Sequence, residues 1–465
     1  MATPKAEERK NSAVSPARRE AFMILRKVAR GEAHSDDLLR GARVSALSAQ
    51  DRHLCTALVL GVLRWQIYLD ARVRPLLARP GTRLEDAVAI ALRLGAFQLW
   101  FLDRVPAHAA IGESVALVKA AGHRFASGMV NAVLRKAAGQ GREESPDPAS
   151  AFPQWMVERW RRLYGEEATR EICRQGQAAP EMALRLSGDE GELAAEGVAT
   201  APGVLLKAAR RVISGDVTAT QALRSESVRI QEEGSQLIAE LSASLGFLPR
   251  SILDCCAAPG GKTLVMAEMN PQARVTACEV SPPRFEALRK RMEANAGARV
   301  GQQAGIDVLL GDITQLGLND RYDLVLADAP CSGTGTLGRN PEIRHRLNLE
   351  DLTRHHERQC AILHAALKAA SAERGRVVYS TCSLEPEENE AVIAEVLSNV
   401  SDWRRVSMVD VVKELAVAGR ITEDGVAMLL RCARNDGSLL LLPGALGEHH
   451  RIDGFFMAML ERVPA

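Results

Sequence analysis

The sequence predicts three parts: an all-α front end, a small α+β module, and a doubly wound, mostly parallel α/β sheet. Apolar residues recur at helical spacing between about Ser15 and Lys136, with little β-branched alternation. From Ile230 onward short apolar runs alternate with helical stretches, which implies a parallel sheet with right-handed crossovers. A chain of 465 residues, 46% of them hydrophobic, is long enough for about three buried cores.

Residues 1–140 form the predicted helical front end. Ala21–Val28, Leu54–Leu63 and Val88–Leu94 carry its apolar faces. Asp51 and Ser114 read as helix starts, and Pro80-Gly81 and Val105-Pro106 as turns between helices. This part holds 22 Lys and Arg against 12 Asp and Glu, leaving 37 against 46 for the rest, so a net +10 segment precedes a net −9 one. Such asymmetry fits either a nucleic-acid-binding front end or an Arg-rich helical domain, and charge does not choose between them.

Residues 141–179 read as a linker and a helix. Gly139 to Pro153 is rich in Gly, Glu, Ser, Asp and Pro, and Trp155 to Gln175 is helical. Residues 180–229, with Met182–Leu186 and Val204–Leu206 between Gly and Asp, read as the α+β module. Residues 230–465 form the sheet, with strands over Ser251–Asp254, Arg274–Glu279, Asp307–Leu310, Tyr322–Asp328, Gly375–Ser380 and Gly437–Leu442, and a last one over Asp453–Leu460.

No apolar run approaches the ~18 residues of a membrane-spanning helix, and Met1 to Lys27 alternates charge and polarity, so a soluble, cytosolic chain with no membrane partner is expected. Nine cysteines without a C-x-x-C pair suggest reduced thiols, with neither a disulfide framework nor a metal site. The sequence carries no indication of oligomeric state.

Two cysteines stand just past strand-like runs. Cys331 lies in Asp328-Ala329-Pro330-Cys331-Ser332-Gly333-Thr334-Gly335, and Cys382 in Ser380-Thr381-Cys382-Ser383. The carboxyl ends of parallel strands form the ligand crevice, so both thiols should open into one cleft as a nucleophile and its helper. Upstream, Ile252-Leu253-Asp254-Cys255-Cys256-Ala257-Ala258-Pro259-Gly260-Gly261-Lys262-Thr263 has the same strand-then-loop layout and is the expected cofactor loop. Cys256 replaces the first glycine of a phosphate loop, and the dinucleotide glycine fingerprint is absent. Adjacent glycines at a helix N-terminus still suit a carboxylate. S-adenosylmethionine fits, with its carboxylate at the loop, its ribose at Glu279 and its adenine near Asp312. Asp328 is a third acid at a strand end.

Asp51-Arg52, Gly61-Val62-Leu63-Arg64-Trp65, Leu92–Leu99, Val105–Ala110, Glu113-Ser114-Val115 and Val130–Arg135, in that order and spacing, resemble the NusB-type RNA-binding domain. The catalytic half resembles the RNA (cytosine-5)-methyltransferases, and the whole chain resembles the Sun/RsmB ribosomal RNA methyltransferases. The likeness extends to Gln231–Ser235 before the first strand and to Asp453-Gly454-Phe455-Phe456 at the end. It implies a Rossmann-like class I methyltransferase domain behind the NusB-like domain, with the 180–229 module also binding RNA.

It further implies 5-methylcytosine formation in 16S ribosomal RNA, with Cys382 as nucleophile, Cys331 assisting product release, and Asp328 serving the base at N3. Cys256, Ala257, Ala258, Pro259, Gly260, Gly261, Lys262, Glu279, Asp312 and Asp328 are the implied cofactor residues. Cys255 stands where an aliphatic residue is common and Glu279 where aspartate is frequent. Arg339, Arg344, His345 and Arg346, close behind the Pro-Cys loop, are expected at the RNA backbone, with solvated surface charge as the alternative for each. Transfer RNA as substrate, DNA cytosine methylation and a non-catalytic RNA-binding assembly factor stay open as other readings.

Overall fold

A computed structural model describes residues 14–463 apart from 143, 189, 244–245, 299–304 and 448–449. The first thirteen residues of the charged N-terminal stretch thus lie outside the described residues. The chain forms two compact units, Met1–Ala179 with Leu337–Arg346, and Pro180–Thr336 with Leu347–Ala465.

The first unit is helical. Its main helices are Pro16–Ala29, Ala49–Val73, Asp86–Phe101, Ala107–Ala120, Ser127–Gln140 and Gln154–Gln177. Leu58, Leu69, Ile90, Leu92, Leu94, Trp100, Leu134 and Trp160 are among its largest fully buried apolar side chains. Ser48, not Asp51, caps the helix Ala49–Val73: its hydroxyl accepts the Asp51 N–H at 3.1 Å. Ser114 also departs from the expectation. It is buried in mid-helix, where its hydroxyl donates to the Ala110 carbonyl at 2.8 Å, so a residue type that favours caps is here satisfied by its own helix. The stretch Ala49–Leu76 has the length and mean hydropathy (1.3) of a membrane span, unlike the sequence expectation. Half of its most apolar window is buried inside the unit, as in a core helix.

Ten residues that lie within the 230–465 stretch, Leu337–Arg346, cluster by their contacts with this helical unit. Charged residues anchor them. Arg344 is 1% exposed, donates to the carbonyls of Arg64 (3.1 Å) and Gly176 (2.9 Å), and lies 3.8 Å from the centroid of the Phe152 ring. Arg64 in turn donates to the Gly338 carbonyl at 2.7 Å. Glu342 accepts the Ser35 N–H (2.9 Å) and hydroxyl (2.8 Å). Arg346 donates to the carbonyls of Val28 (2.7 Å) and Ala33 (2.9 Å). The expectation of Arg344 on RNA is therefore corrected: its guanidinium is buried on backbone carbonyls. One terminal nitrogen of Arg346 is similarly occupied.

The second unit opens with four short antiparallel strands, β1 (Ala183–Leu186), β2 (Ala199–Pro202), β3 (Ala209–Ser214) and β4 (Val228–Ile230), in the order β2-β3-β1-β4. Arg185 on β1 is fully buried and bridges Glu240 (2.7 Å) and Glu268 (2.8 Å). This ties the small sheet to the helices Glu233–Ala243 and Gly261–Met269. The large sheet comprises β5 (Ser251–Asp254), β6 (Arg274–Glu279), β7 (Ile306–Leu310), β8 (Leu324–Asp328), β9 (Arg376–Thr381), β10 (Trp403–Val406), β11 (Leu439–Leu441) and β12 (Phe455–Arg462). Its order is β10-β12-β9-β8-β5-β6-β7, with β11 on β12.

Strands β5 to β9 pair in parallel, β12 pairs antiparallel with β9, and β10 and β11 each pair antiparallel with β12. This is the mostly parallel, doubly wound sheet expected from the sequence. β10 is the strand the sequence reading missed. Its Trp403-Arg404-Arg405-Val406 is an edge, where charge replaces the apolar signal. β6 and β8 flank β5 on opposite sides, so the crevice at this change of direction is where a ligand belongs.

His345 gives the helical unit a pH dependence. Its Nε2 meets the Leu63 carbonyl at 2.7 Å. Burial, aided by the Arg344 and Arg93 charges, pushes its pKa down to about 4 against that opposing hydrogen bond. An unfolded histidine titrates near ~6.5, so stability present above that pH is lost as pH falls toward 4, by up to about 3 kcal/mol. Four of the five tryptophans lie in residues 1–179, so tryptophan fluorescence during urea unfolding reads this unit. The urea midpoint should fall between about pH 7 and 5 in the native chain and fall less in His345→Gln.

Candidate active site

The loop from Cys255 to Gly261 joins β5 to the helix Gly261–Met269 and turns at Gly260. There φ is +96°, and a Cβ would lie 2.6 Å from Met292 Cε and 2.7 Å from Leu288 Cδ1. Both the backbone angle and the space demand glycine. Asp254, buried at the end of β5, accepts the Thr263 hydroxyl at 2.7 Å and so pins the first turn of that helix. Burial chiefly, with the Asp328 charge, raises its pKa to about 6.

Beside the loop lies a cavity of about 230 Å³ whose walls include Cys256, Glu279, Asp312 and Pro330. Glu279 is 3% exposed, and one of its oxygens accepts the Ser281 N–H at 2.9 Å. Arg284 stands 3.7 Å from the other. Asp312 accepts the Thr314 N–H (3.0 Å) and hydroxyl (2.8 Å). Three sequence-chosen residues thus share one cavity. Asp328 and Lys262 do not line it: Lys262 Nζ lies 2.7 Å from Asp328 Oδ2, and Asp328 Oδ1 accepts the Ser380 hydroxyl at 2.7 Å. Burial opposes the Lys262 charge, but Asp328, Cys382 and Asp254 together raise its pKa. An ammonium therefore stands among the acids of this site.

The two cysteines meet because their strands do. β8 and β9 are parallel neighbours with Asp328 opposite Ser380, so the loops after them start side by side. Ala329 N–H donates to the Ser380 carbonyl (2.9 Å) and Gly335 N–H to the Cys382 carbonyl (2.9 Å). A Cβ on Gly335 would stand 2.3 Å from the Gly454 oxygen and 2.8 Å from the Cys382 oxygen, so only glycine permits this approach. Cys331 Sγ lies 3.3 Å from Cys382 Sγ, both free thiols and both half-buried. The hydrogen bond to Cys382 first, then burial, then the charges of Cys382 and Glu388 push the Cys331 thiol well above its ordinary range. The two sulfurs are thus in direct hydrogen-bond contact, in which either can be the donor.

Sequence reasoning missed the group behind these loops. Glu388 is fully buried, and its carboxylate accepts the Ser332 N–H at 2.7 Å, the Ser332 and Ser383 hydroxyls, and Gln359 Nε2 at 3.1 Å. Asn389 beside it accepts the Thr381 hydroxyl (2.5 Å) and donates to the Ser383 carbonyl (3.0 Å). The available signal was the acidic run Glu385-Pro386-Glu387-Glu388-Asn389 just past the cysteine motif, which carries no local mark of burial. His356, Cys360 and Glu395 form a group of metal-ligand type. His356 Nε2 is hydrogen-bonded to Glu395 at 2.8 Å, which accounts for their approach as an ion pair.

Residues 249–461 match the family model described as 16S rRNA methyltransferase RsmB/F. Residues 15–139 match the NusB family, and 152–195 the ferredoxin-like domain of RsmF/B-like methyltransferases. The chain is 30% identical to the probable ribosomal RNA small subunit methyltransferase B of Bacillus subtilis (strain 168), over 95% of this chain and 98% of that one. A protein of the same description from Synechocystis sp. is 32% identical over 96% and 99%. Among solved structures, PH0851 shares the fold with a TM-score of 0.73, at 20% identity over 96% of this chain and 99% of that one. NSun6 from Pyrococcus horikoshii with SFG gives 0.52, at 17% identity over 68% and 99%.

If the sulfurs share a proton, Cys382→Ala removes the first cause of the raised Cys331 pKa. The pH midpoint for iodoacetamide labelling of Cys331, followed by peptide mass spectrometry, should then drop by about one unit or more. An unmoved midpoint would mean that the sulfurs do not interact.

Proposed function

The chain belongs to the RsmB/F family of 16S ribosomal RNA methyltransferases, and on that premise we propose that it methylates C5 of a cytosine in 16S rRNA through a covalent bond from Cys382 to C6. The observation that carries this reading is the 3.3 Å thiol pair at the ends of adjacent parallel strands.

Cytosine C5 is a poor nucleophile until the ring's conjugation is broken. Attack of the Cys382 thiolate on C6 breaks it and leaves C5 electron-rich. Asp328, hydrogen-bonded to the Lys262 ammonium, is the group we assign at N3, where it passes on a proton from that ammonium as C6 is attacked and returns it on release. When bound, S-adenosylmethionine supplies the methyl group as an electrophilic sulfonium. Gly260-Gly261 at the helix N-terminus suits its carboxylate, Glu279 its ribose hydroxyls and Asp312 its adenine side. The fit rests on Glu279, a nearly buried carboxylate in the cavity wall with one oxygen bonded to a backbone N–H.

Release follows from the thiol pair. Cys331, its own thiol proton released to solvent, takes the C5 proton as the C6–S bond breaks, which restores the Cys382 thiolate and leaves one net proton in solution. RNA binding falls to the NusB-type unit and the 180–229 module, while Arg339 remains a candidate at the RNA backbone. Reduced thiols at the site agree with a cytosolic location.

Two experiments test this. Cys331→Ala, mixed with S-adenosylmethionine and unmodified rRNA, should accumulate a protein–RNA adduct on a denaturing gel. Cys382→Ala should form none and lose methylation by about a thousandfold or more. An adduct with Cys382→Ala instead would reverse the roles, and an adduct carrying tRNA would replace the substrate. Gly260→Ala should weaken S-adenosylmethionine binding by about tenfold or more in calorimetry. Unchanged affinity would remove the loop from the cofactor site.

A further inference from the structure

A fully buried carboxylate needs a reason, because desolvation costs several kcal/mol unless a cation or enough hydrogen-bond donors compensate. Among the described residues no cation pairs with Glu388. Its compensation comes from donors on three separate elements. Ser332 follows Cys331, Ser383 follows Cys382, and Gln359 lies on the helix Leu349–Ala369. Gln359 Nε2 also donates to the Pro330 carbonyl at 2.9 Å, one residue before Cys331. The Glu388 backbone is fixed as well, its carbonyl accepting the Tyr379 hydroxyl from β9 at 2.6 Å. The two serine hydroxyls approach each other at 3.1 Å over this carboxylate, so it holds the residues beside both sulfurs at once.

We propose that Glu388 is a positioning residue for the cysteine pair, clasping the Pro-Cys loop to the Thr-Cys-Ser loop and setting the separation of the two sulfurs. It touches neither sulfur in a hydrogen bond and acts through Ser332 and Ser383. Its charge also works on the pair at a distance, since it is among the causes that keep Cys331 protonated. A neutral glutamine in its place cannot accept from all four donors, because its amide nitrogen only donates. The clasp would open on one side, and the thiols would lose both their spacing and one source of field.

This inference rests on the reading of Cys382 and Cys331 as the working pair, so its test includes a measurement that needs no RNA. In the full chain, Glu388→Gln should lower the iodoacetamide labelling midpoint of Cys331 by about one pH unit. It should also reduce kcat for rRNA methylation by about tenfold or more, with the S-adenosylmethionine Kd changed less than about twofold. Glu388→Asp, which keeps the charge, should leave the Cys331 midpoint closer to the native value while still lowering kcat. If Glu388→Gln does not fold, Ser332→Ala and Ser383→Ala decide, since each removes one donor and leaves the carboxylate. Each should lower kcat, and together they should lower it further. Native kcat and an unmoved Cys331 midpoint in the folded glutamine variant, or native kcat in the double serine variant, would overturn the proposal. If the native chain methylates no RNA while the Cys331 midpoint still moves in Glu388→Gln, the proposed reaction fails and the clasp stands.

Discussion

The pairing of β8 with β9 is the constraint on which the site depends. Asp328 and Ser380 are partners across these parallel strands, and everything chemical follows within a few residues of that register. Cys331 comes three residues after one partner and Cys382 two after the other. A slip of one residue would turn every side chain on the slipped strand to the opposite face. The register is guarded from both faces: Val377, Val378 and Tyr379 are buried on β9, and Leu324 to Ala327 on β8. The antiparallel β12 then closes β9's other edge and delivers Gly454 against Gly335, fixing the far end of the Pro-Cys loop.

Buried charge is the second theme, and it serves different ends in different places. The Arg185–Glu240–Glu268 cluster, joined by Arg229 and Arg420, holds the small sheet to the helices of its own unit. Burial alone would raise the Glu268 pKa, but Arg185 and Arg229 pull it down to about 2. Such pairs add little net stability over apolar packing but are costly to break. Around the thiols the arrangement differs. Glu388 accepts from the residues that follow both cysteines, and Asp328 pairs with the Lys262 ammonium close by. Perturbed groups gathered in a cleft are a mark of function more than of stability.

Much of the fold was legible because its signals are local. Apolar runs of strand length, ended by Asp, Cys or Gly, gave β5 through β9, and helical periodicity gave the first unit. What escaped depends on distant partners. Arg344 sits in a basic stretch that reads as a surface loop, yet the fold carries that stretch into the helical unit, where backbone carbonyls from residues 64 and 176 receive it. Ser114 looked like a cap because its hydroxyl's bond to its own helix leaves no mark in the sequence. Lys262 was grouped with cofactor residues by motif, and only the three-dimensional arrangement sets it on Asp328. Glu388 stands among other acids in the sequence, and nothing local says that one of them is buried.

The central claim is that Cys382 is the sulfur that bonds to the base. Ribosomal RNA carrying 5-fluorocytidine at the target would trap that bond, because fluorine at C5 cannot leave as the proton does. After digestion with nuclease and protease, mass spectrometry should find the methylated fluorocytidine on the peptide that contains Cys382. The nucleotide on the Cys331 peptide, or an enzyme that methylates ordinary rRNA but traps no fluorinated base, would contradict the account.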